Sequence, residues 1–388
     1  MARKKEKKPG IVDRMLIRYY SRKLVADAAV MDDELEIISE KEARVIRQQM
    51  LKTCTIAGLL GVLGVLFLYI PKYLFPDFFT FYIFFKIPYI DGIQQFEWMF
   101  MLYSIILAQI EAYLLVYFNA RAVARIANAN GFPVLQSPDF DKHMKSLVIV
   151  ALEKKDRTIK KYGIDPFFGM SKLGLFIYML IIRFKASLSN LFIKLVVGRI
   201  LGRAVLRIYI DMIGLLVYPA WNIIASVQVI RESKLRIMAP NLISWLNAKL
   251  KEEFGDRPDF EKHLFHTLNF ISQVKRNYNY NLYLLTDAIV NNFRVEKPSE
   301  VYKTSDYLSQ LKALEPTDRN GLIRLIIFGM LIDGKLTRKE RNILQLLYNE
   351  KLSAIPAEVT SQWSNDFLSG KGMPGFRKQK DFIPAVSH

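Results

Sequence analysis

Cysteine and histidine are scarce in this chain of 388 residues, which has one cysteine, Cys54, and four histidines. A single thiol excludes an internal disulfide framework and any zinc cluster built on several cysteines. Acidic side chains are also in the minority, with 37 Asp and Glu against 55 Lys and Arg, which gives a formal net charge of +18. Hydrophobic residues nevertheless make up 51% of the chain. This composition is too apolar for a disordered protein, and it indicates apolar blocks separated by basic ones.

Catalytic signatures are absent as well. The glycines at 58, 61 and 64 lie inside an apolar block rather than in a phosphate-binding loop, and neither an HExxH motif nor a nucleophile elbow occurs. We therefore expect no enzymatic activity and no cofactor, with a lipid-acting enzyme as the weakest alternative. The basic residues are dispersed or close to apolar blocks, which favours anionic lipid rather than nucleic acid as their partner.

Two apolar blocks predict a transmembrane hairpin. No charge occurs between Lys52 and Lys72, and the 19 residues of 53–71 approach the ~20 that cross a bilayer as a helix. The second block, 98–120, carries one charge, Glu111, close to Gln109. An intramembrane acid is a functional-site candidate, here a proton or cation site. The alternative is a protonated or hydrogen-bonded Glu111 that holds helices together.

Small residues recur along the first block at Ala57, Gly58, Gly61 and Gly64. A stripe of this kind allows helix backbones to approach closely in lipid, which predicts a packing face. The alternative is that glycine is simply common in membrane helices.

The distribution of charge predicts the orientation of the hairpin. The loop 72–97 carries ten aromatic residues and only two basic ones, whereas Lys and Arg are frequent just before residue 53 and just after residue 120. The positive-inside rule places both ends of the hairpin in the cytoplasm, and aromatic rings favour the membrane interface. We expect a multi-pass protein of the bacterial cytoplasmic (inner) membrane with both termini cytoplasmic.

Residues 173–230 leave the number of spans open. Their two apolar stretches, 173–182 and 212–230, flank a basic segment in which Arg199, Arg203, Arg207 and Asp211 are spaced by four residues. On a helix these side chains share one face, which is a lipid headgroup site, a lining of a transport path, or an ordinary surface stripe. If both stretches crossed the membrane, this basic segment would lie outside, contrary to the positive-inside rule. We therefore favour two spans over four.

A helical soluble domain is predicted after residue 230, and its best signature is a corner between two helices. Gly334 follows an apolar helix and suits a left-handed C-terminal cap, while Thr337 and Glu340 have the spacing of a capping box. Asp333 and Glu340 could also bind a divalent cation across this corner. His263 and His266 are spaced by three residues, but no pattern supplies a third metal ligand, so ordinary histidines are predicted there.

The stretch 322–341 resembles the TerB-type helical domain, because an apolar helix ends in Asp-Gly and a Glu opens the next helix after a short turn. The resemblance covers residues 235–350 loosely. It implies an all-α domain of a family linked to tellurite and stress responses and to membrane-associated assemblies. It also places Asp333, Gly334 and Glu340 at the acidic signature of that family.

These patterns together predict an all-α protein with a membrane hairpin, interfacial helices and a C-terminal helical bundle. The predicted regions are a basic arm and helix (1–50), the hairpin (51–120), a basic linker (121–172), helices on or in the membrane (173–230), the soluble domain (231–352) and an irregular tail (353–388). The predicted function is that of a membrane-anchored adaptor or scaffold whose soluble domain binds a protein partner in an envelope or stress response. The alternative is an oligomeric transporter or channel that uses Glu111 and the arginine stripe.

Overall fold

A computed structural model describes residues 38–79, 82–85, 94–132, 139–151, 161–168, 171, 173, 214–277, 279–298, 301–302 and 304–384. Apart from one short ribbon, its regular elements are helices, so the all-α expectation is confirmed. In chain order the elements are α1 (Glu40–Leu74), α2 (Pro76–Phe79), β1 (Tyr82–Phe85), β2 (Gln94–Glu97), α3 (Trp98–Ala129), α4 (Phe140–Ala151), α5 (Gly214–Phe254), α6 (Pro258–Lys275), α7 (Tyr280–Phe293), α8 (Thr304–Ala313), α9 (Pro316–Leu331), α10 (Arg338–Asn349), α11 (Ala357–Ser369) and α12 (Pro374–Lys378).

The chain divides into two compact units. Unit 1 comprises residues 1–45, 126–175 and 231–388, and unit 2 comprises residues 46–125 and 176–230. The boundaries fall inside the long helices α1, α3 and α5, close to the predicted region boundaries at 50, 120 and 230.

Unit 2 contains two helices, α1 and α3, that are long and apolar enough to cross a membrane. Their most apolar windows are only 22% and 0% buried, whereas the core helix of a soluble protein would be mostly buried. Leu59 and Phe67 of α1 and Ile106 of α3 are each more than half exposed. Exposed apolar surfaces of this kind mark contacts with a membrane or with another protein.

The aromatic loop of unit 2 contains a strand pair that the sequence analysis missed. Strands β1 and β2 pair antiparallel, with Tyr82 opposite Glu97 and Phe85 opposite Gln94. Aromatic residues favour pleated strands, and this preference was the signal available in the sequence.

Unit 1 is built around α9. Every residue from Gly321 to Leu331 is buried, and all of them except Arg324 are apolar, as expected of a central helix. Two glycines allow this packing: a Cβ at Gly321 would lie 2.7 Å from the ring of Phe260, and one at Gly329 would lie 2.7 Å from Ile271 of α6.

The region predicted as a linker contributes a helix to this unit. Met144, Leu147 and Val148 of α4 are buried, and Arg236 Nη1 of α5 donates a hydrogen bond of 2.7 Å to the carbonyl oxygen of Ser146. The linker prediction therefore needs correction, because the apolar spacing of α4 supplies a buried face.

The prediction of an irregular tail over 353–388 is wrong for its described part. Helices α11 and α12 occupy it, and Phe367, Phe376 and Phe382 are 0–1% exposed in the core. Trp363 packs edge-on against Phe376 with ring centroids 5.6 Å apart. Glycines close together near residue 370 are typical of an irregular segment, but Gly370 here ends α11 in a left-handed cap with φ of +95°.

Candidate functional site

The small-residue stripe of α1 lies against two other helices of unit 2. A Cβ at Gly58 would lie 3.1 Å from Ile223 Cδ1, and one at Gly61 would lie 2.6 Å from the backbone nitrogen of Pro219, both on α5. A Cβ at Gly64 would lie 2.9 Å from Glu111 Oε2 on α3. The glycines therefore allow close approach of α5 and of the Glu111 side chain, as the packing interpretation requires.

Glu111 is part of a polar group inside unit 2. Its Oε1 accepts a hydrogen bond of 2.7 Å from Asn222 Nδ2, which also donates to the carbonyl oxygen of Ala57 at 3.3 Å. Asn222 and Ala57 are buried at 9% and 1% exposure. This arrangement matches the hydrogen-bonded interpretation of Glu111. Gln109 is exposed and takes no part in the group among the described residues. Arg199, Arg203, Arg207 and Asp211 lie outside the described residues.

The predicted helix corner of unit 1 forms as expected. Gly334 has φ of +65°, and Thr337 and Glu340 make both hydrogen bonds of the capping box. The Thr337 backbone N–H donates to Glu340 Oε2 at 2.7 Å, and the Glu340 N–H donates to Thr337 Oγ1 at 3.3 Å.

An internal ammonium group occupies the position that the sequence analysis considered for a divalent cation. Lys275 Nζ lies 2.8 Å from Asp333 Oδ1 and 3.2 Å from Glu340 Oε1, and it donates to the carbonyl oxygen of Met330 at 2.9 Å. The Lys275 side chain is 0% exposed. Burial raises the pKa of Glu340, while the Lys275 charge acts to lower it. These two carboxylates do not fit a resident metal ion, because the Lys275 ammonium group already lies against both of them. Among the described residues, no group of three or more His, Cys, Asp and Glu could hold a metal ion.

The two histidines of α6 have aromatic neighbours. His266 stacks on Tyr302 with ring centroids 4.2 Å apart, and the rings of His263 and His266 are 6.4 Å apart. Burial lowers the pKa of His263 and lowers that of His266 to about 4. Both side chains are therefore neutral at physiological pH, in keeping with ordinary partly buried histidines.

The sequence analysis missed a polar cleft in unit 1. It has a volume of about 560 Å³, within the range of ligand sites, and lies between α4, α5 and α7. Its polar lining consists of Asp139, Lys142, His143, Asn241, Ser244, Asn247, Asp287, Asn291 and Asn292. No local motif could have revealed it, since the three helices are far apart in the chain.

One end of this cleft is charged. Lys142 Nζ lies 2.7 Å from Asp139 Oδ1 and 3.0 Å from Asp287 Oδ2, and the Tyr162 hydroxyl donates to Asp287 Oδ1. Burial acts to lower the pKa of Lys142, but the hydrogen bonds to both carboxylates raise it above its ordinary value. The neighbouring His143 is 7% exposed, and burial lowers its pKa to about 4, so it is neutral at physiological pH.

Comparison of the chain with protein families, with characterised proteins and with solved structures finds no match.

Proposed function

We propose that this protein is a membrane-anchored adaptor, in which unit 2 is held in the bilayer and unit 1 binds a protein partner at the membrane surface. The observation that carries the proposal is the exposure of apolar side chains along α1 and α3. Exposed isoleucine, leucine and phenylalanine side chains on long helices are stable in lipid, and in water they would cause aggregation.

Contacts between the separate chain segments of unit 1 support a location of all of them on the same side of the membrane. The backbone N–H of Ile38, before the apolar part of α1, donates to the carbonyl oxygen of Gly370 at 2.8 Å. The second chain segment of unit 2 is 176–230. Arg236, which follows this segment, donates a hydrogen bond to the carbonyl oxygen of Ser146, which precedes the segment. Each passage of the chain through unit 2 therefore starts and ends in one compact unit, and we propose that it crosses the membrane an even number of times.

The start of α5 supports a place for residues 214–230 in the membrane part. Pro219 packs against Gly61, which lies near the middle of the apolar block 53–71, and Asn222 pairs with Glu111. If the hairpin spans the bilayer, the first turns of α5 lie at the same depth. We therefore include 214–230 in the membrane part, while the other predicted stretch, 173–182, lies almost entirely outside the described residues.

Basic side chains support a cytoplasmic location for unit 1 and contact with anionic lipid. Arg47 and Lys52 near the start of the first apolar block, and Arg121 just after the second, are exposed. Each basic residue at an anionic surface contributes about 1 kcal/mol to membrane binding. The resemblance to the TerB-type domain belongs to the same proposal, and it is supported by the capped corner at Gly334.

A transporter function is less well supported by the contacts of unit 2. The Glu111 carboxylate is hydrogen-bonded to Asn222, and α5 approaches α1 to backbone contact at Gly61. This packing is typical of a structural polar group in a membrane bundle. We propose no catalytic role for any residue.

The test of anchoring compares the same substitution on an exposed leucine in each unit. Leu59→Arg on α1 replaces a side chain that is 56% exposed, and Leu346→Arg on α10 replaces one that is 39% exposed. In lipid, the first change costs about 3 kcal/mol near the middle of a span, whereas the second leaves a charge in water. The expected result is that Leu59→Arg is lost from the alkali-resistant membrane fraction and Leu346→Arg is retained. Equal retention of both variants contradicts the proposed membrane anchor.

A further inference from the structure

The corner between α9 and α10 has an exposed basic surface. The segment 332–342 contains two acidic and four basic residues. Its acids, Asp333 and Glu340, are buried against the Lys275 ammonium group. The exposed charges of the segment are therefore all positive. They belong to four side chains that we call the basic corner, namely Lys335, Arg338, Lys339 and Arg341.

The cations of the basic corner have no carboxylate partners among the residues that the structure describes. Lys339 Nζ donates instead to the carbonyl oxygen of Gln273 at 3.2 Å, and the other three side chains form no ion pair within that part of the chain. Burial lowers the pKa of Lys339, and the positive charge of Arg276 acts in the same direction. A further cation therefore lies next to the corner, and a bound anion relieves the repulsion between these charges.

Exposed cations at the far end of α5 are paired instead. The ion pairs there have N–O distances of 2.6–3.4 Å and join Lys249 to Glu252, Lys251 to Glu261 and Arg257 to Glu315. Lys249 lies 14 positions after Leu235, which corresponds to about 21 Å along a helix. The basic corner therefore differs from the far end of α5, where carboxylates of the chain itself neutralise the cations.

The basic corner is close to the residues of α5 that follow the apolar stretch 212–230. A Cβ at Gly334 would lie 2.8 Å from Leu235 Cδ1. Because α5 is continuous from Gly214 to Phe254, Leu235 is about 7.5 Å along the helix axis from Ile230. This length is within the range of about 8–10 Å over which a charged surface acts at physiological ionic strength.

A bilayer surface fits this position better than nucleic acid or an acidic protein does. Clusters of about four or more Lys and Arg beside a membrane-spanning helix are typical sites for anionic lipid headgroups. Leu368, which is 37% exposed, also borders the corner, since its Cδ2 would lie 3.0 Å from a Cβ at Gly334. An exposed leucine among cations favours an interface that offers both headgroup phosphates and acyl chains.

We propose that the basic corner binds anionic phospholipid headgroups and so holds unit 1 at the membrane surface. This inference rests on the proposed membrane anchor and adds a second contact outside the apolar helices. The guanidinium and ammonium groups of the corner pair with headgroup phosphates, and Leu368 enters the interface between headgroups and acyl chains.

The test measures how close the corner lies to lipid headgroups in the full-length protein in nanodiscs. With Cys54→Ser as background, Asn342→Cys carries a fluorophore at an exposed position beside Arg341. Ala248→Cys carries it at an exposed position of α5 about 20 Å beyond Leu235. The quencher is a nitroxide attached to the lipid headgroup, and the discs contain phosphatidylcholine alone or with about 30% phosphatidylglycerol.

Anionic discs should quench the fluorophore at residue 342 at least about threefold more strongly than the one at residue 248. This difference should disappear in neutral discs, and it should decrease strongly in about 1 M NaCl, where the Debye length is about 3 Å. Both comparisons use the unchanged basic corner, so they do not depend on the folding of a charge variant.

Two triple variants localise the interaction. Lys335→Gln, Arg338→Gln and Arg341→Gln together should reduce the quenching at residue 342 in anionic discs to the value in neutral discs. The matched control removes three charges from paired lysines, with Lys249→Gln, Lys251→Gln and Lys312→Gln, and should leave the quenching unchanged.

The proposal is overturned if quenching at residue 342 is equal in anionic and neutral discs, or if the corner triple variant is quenched as strongly as the parent protein. Either result would assign the corner to an acidic protein or to nucleic acid. A protein that does not enter nanodiscs at all contradicts the membrane anchor. One that enters them without quenching that depends on anionic lipid contradicts this inference alone.

Discussion

At the scale of single residues, Lys275 shows how a buried charge determines what a site can bind. Its ammonium group is fully buried between Asp333 and Glu340. The two acids were predictable from the Asp-Gly and capping-box signatures, which are local. Lys275 is on another helix, 58 positions before Asp333, and no sequence pattern connects the two. The sequence therefore predicted the anionic half of the site without its cation.

Removal of this cation should destabilise unit 1. We expect Lys275→Met to lower the free energy of unfolding by about 3–5 kcal/mol, because it leaves two buried carboxylates without their cation. The measurement is urea unfolding followed by tryptophan fluorescence, since Trp245 and Trp363 both lie in unit 1.

Two further variants test the cause of this loss. Combining Lys275→Met with Asp333→Asn and Glu340→Gln should recover most of the stability, because no unpaired charge remains and glutamine also serves in a capping box. A loss below about 1 kcal/mol for Lys275→Met alone would show that the ion cluster contributes little.

His143 should make the stability of unit 1 sensitive to acid. Its pKa is lowered from about 6.5 to about 4, first by burial and then by the Lys142 charge, while Asp139 acts in the opposite direction. Its Nδ1 lies 3.2 Å from the Tyr280 hydroxyl. Because folding favours the neutral imidazole, this contribution is complete above pH 6.5 and is lost as the pH falls toward 4.

We expect His143→Gln to flatten the profile of unfolding free energy against pH by about 2 kcal/mol over this range. The measurement is urea unfolding at several pH values between 4 and 7. His266 shifts in the same direction, so some slope should remain. A variant profile as steep as that of the parent protein would exclude His143 as a source of the acid sensitivity.

At the scale of secondary-structure elements, the packing of α5 against α1 depends on one glycine more than on its neighbour. A Cβ at Gly61 would lie 2.6 Å and 2.7 Å from the backbone N and Cα of Pro219, which cannot move independently. A Cβ at Gly58 would lie 3.1 Å from Ile223 Cδ1, the flexible end of a side chain. Gly58 and Gly61 therefore have different structural roles, although both belong to the same regularly spaced stripe in the sequence.

Gly61→Ala should therefore destabilise unit 2 by about 1–3 kcal/mol, and Gly58→Ala should have a much smaller effect. The measurement is the heat-induced aggregation temperature of the purified protein in one detergent. Equal shifts for the two variants would show that backbone contact with Pro219 does not limit the packing.

The elements also differ in how far the sequence predicts them. Helices α9 and α10 and their corner follow from apolar periodicity and capping residues within a few positions. Helices α11 and α12 were missed because Gly370, Gly372, Pro374 and Gly375, which lie close together, favour an irregular tail, although Trp363 and Phe367 have helical spacing. Only burial against Phe376 and Phe382 makes that segment a stable part of the core.

At the scale of the whole molecule, the chain passes through unit 2 twice, at 46–125 and at 176–230. The membrane topology of these two passages can be tested by thiol labelling. With Cys54→Ser as background, Asp77→Cys places a thiol on α2 between the two apolar helices, and Lys371→Cys and Lys161→Cys place thiols on unit 1. We expect a membrane-impermeant thiol reagent to label Asp77→Cys in intact cells, and to label the other two only after lysis.

The two unit 1 positions should behave alike, since both belong to one compact unit. Labelling of one but not the other in intact cells would contradict the proposed even number of crossings. Labelling of both in intact cells would place unit 1 outside and overturn the assignment based on charge distribution.

The sequence by itself determined the helical class, the two apolar helices and the capped corner at Gly334. Each depends on hydrophobicity, periodicity or hydrogen bonds within a few residues of the chain. The tertiary structure decided that Lys275 lies between Asp333 and Glu340, that Glu111 pairs with Asn222, and that α4, α5 and α7 line a polar cleft. These features join residues that are distant in the chain, and their energies come from burial and electrostatic contacts that exist only after the helices have packed.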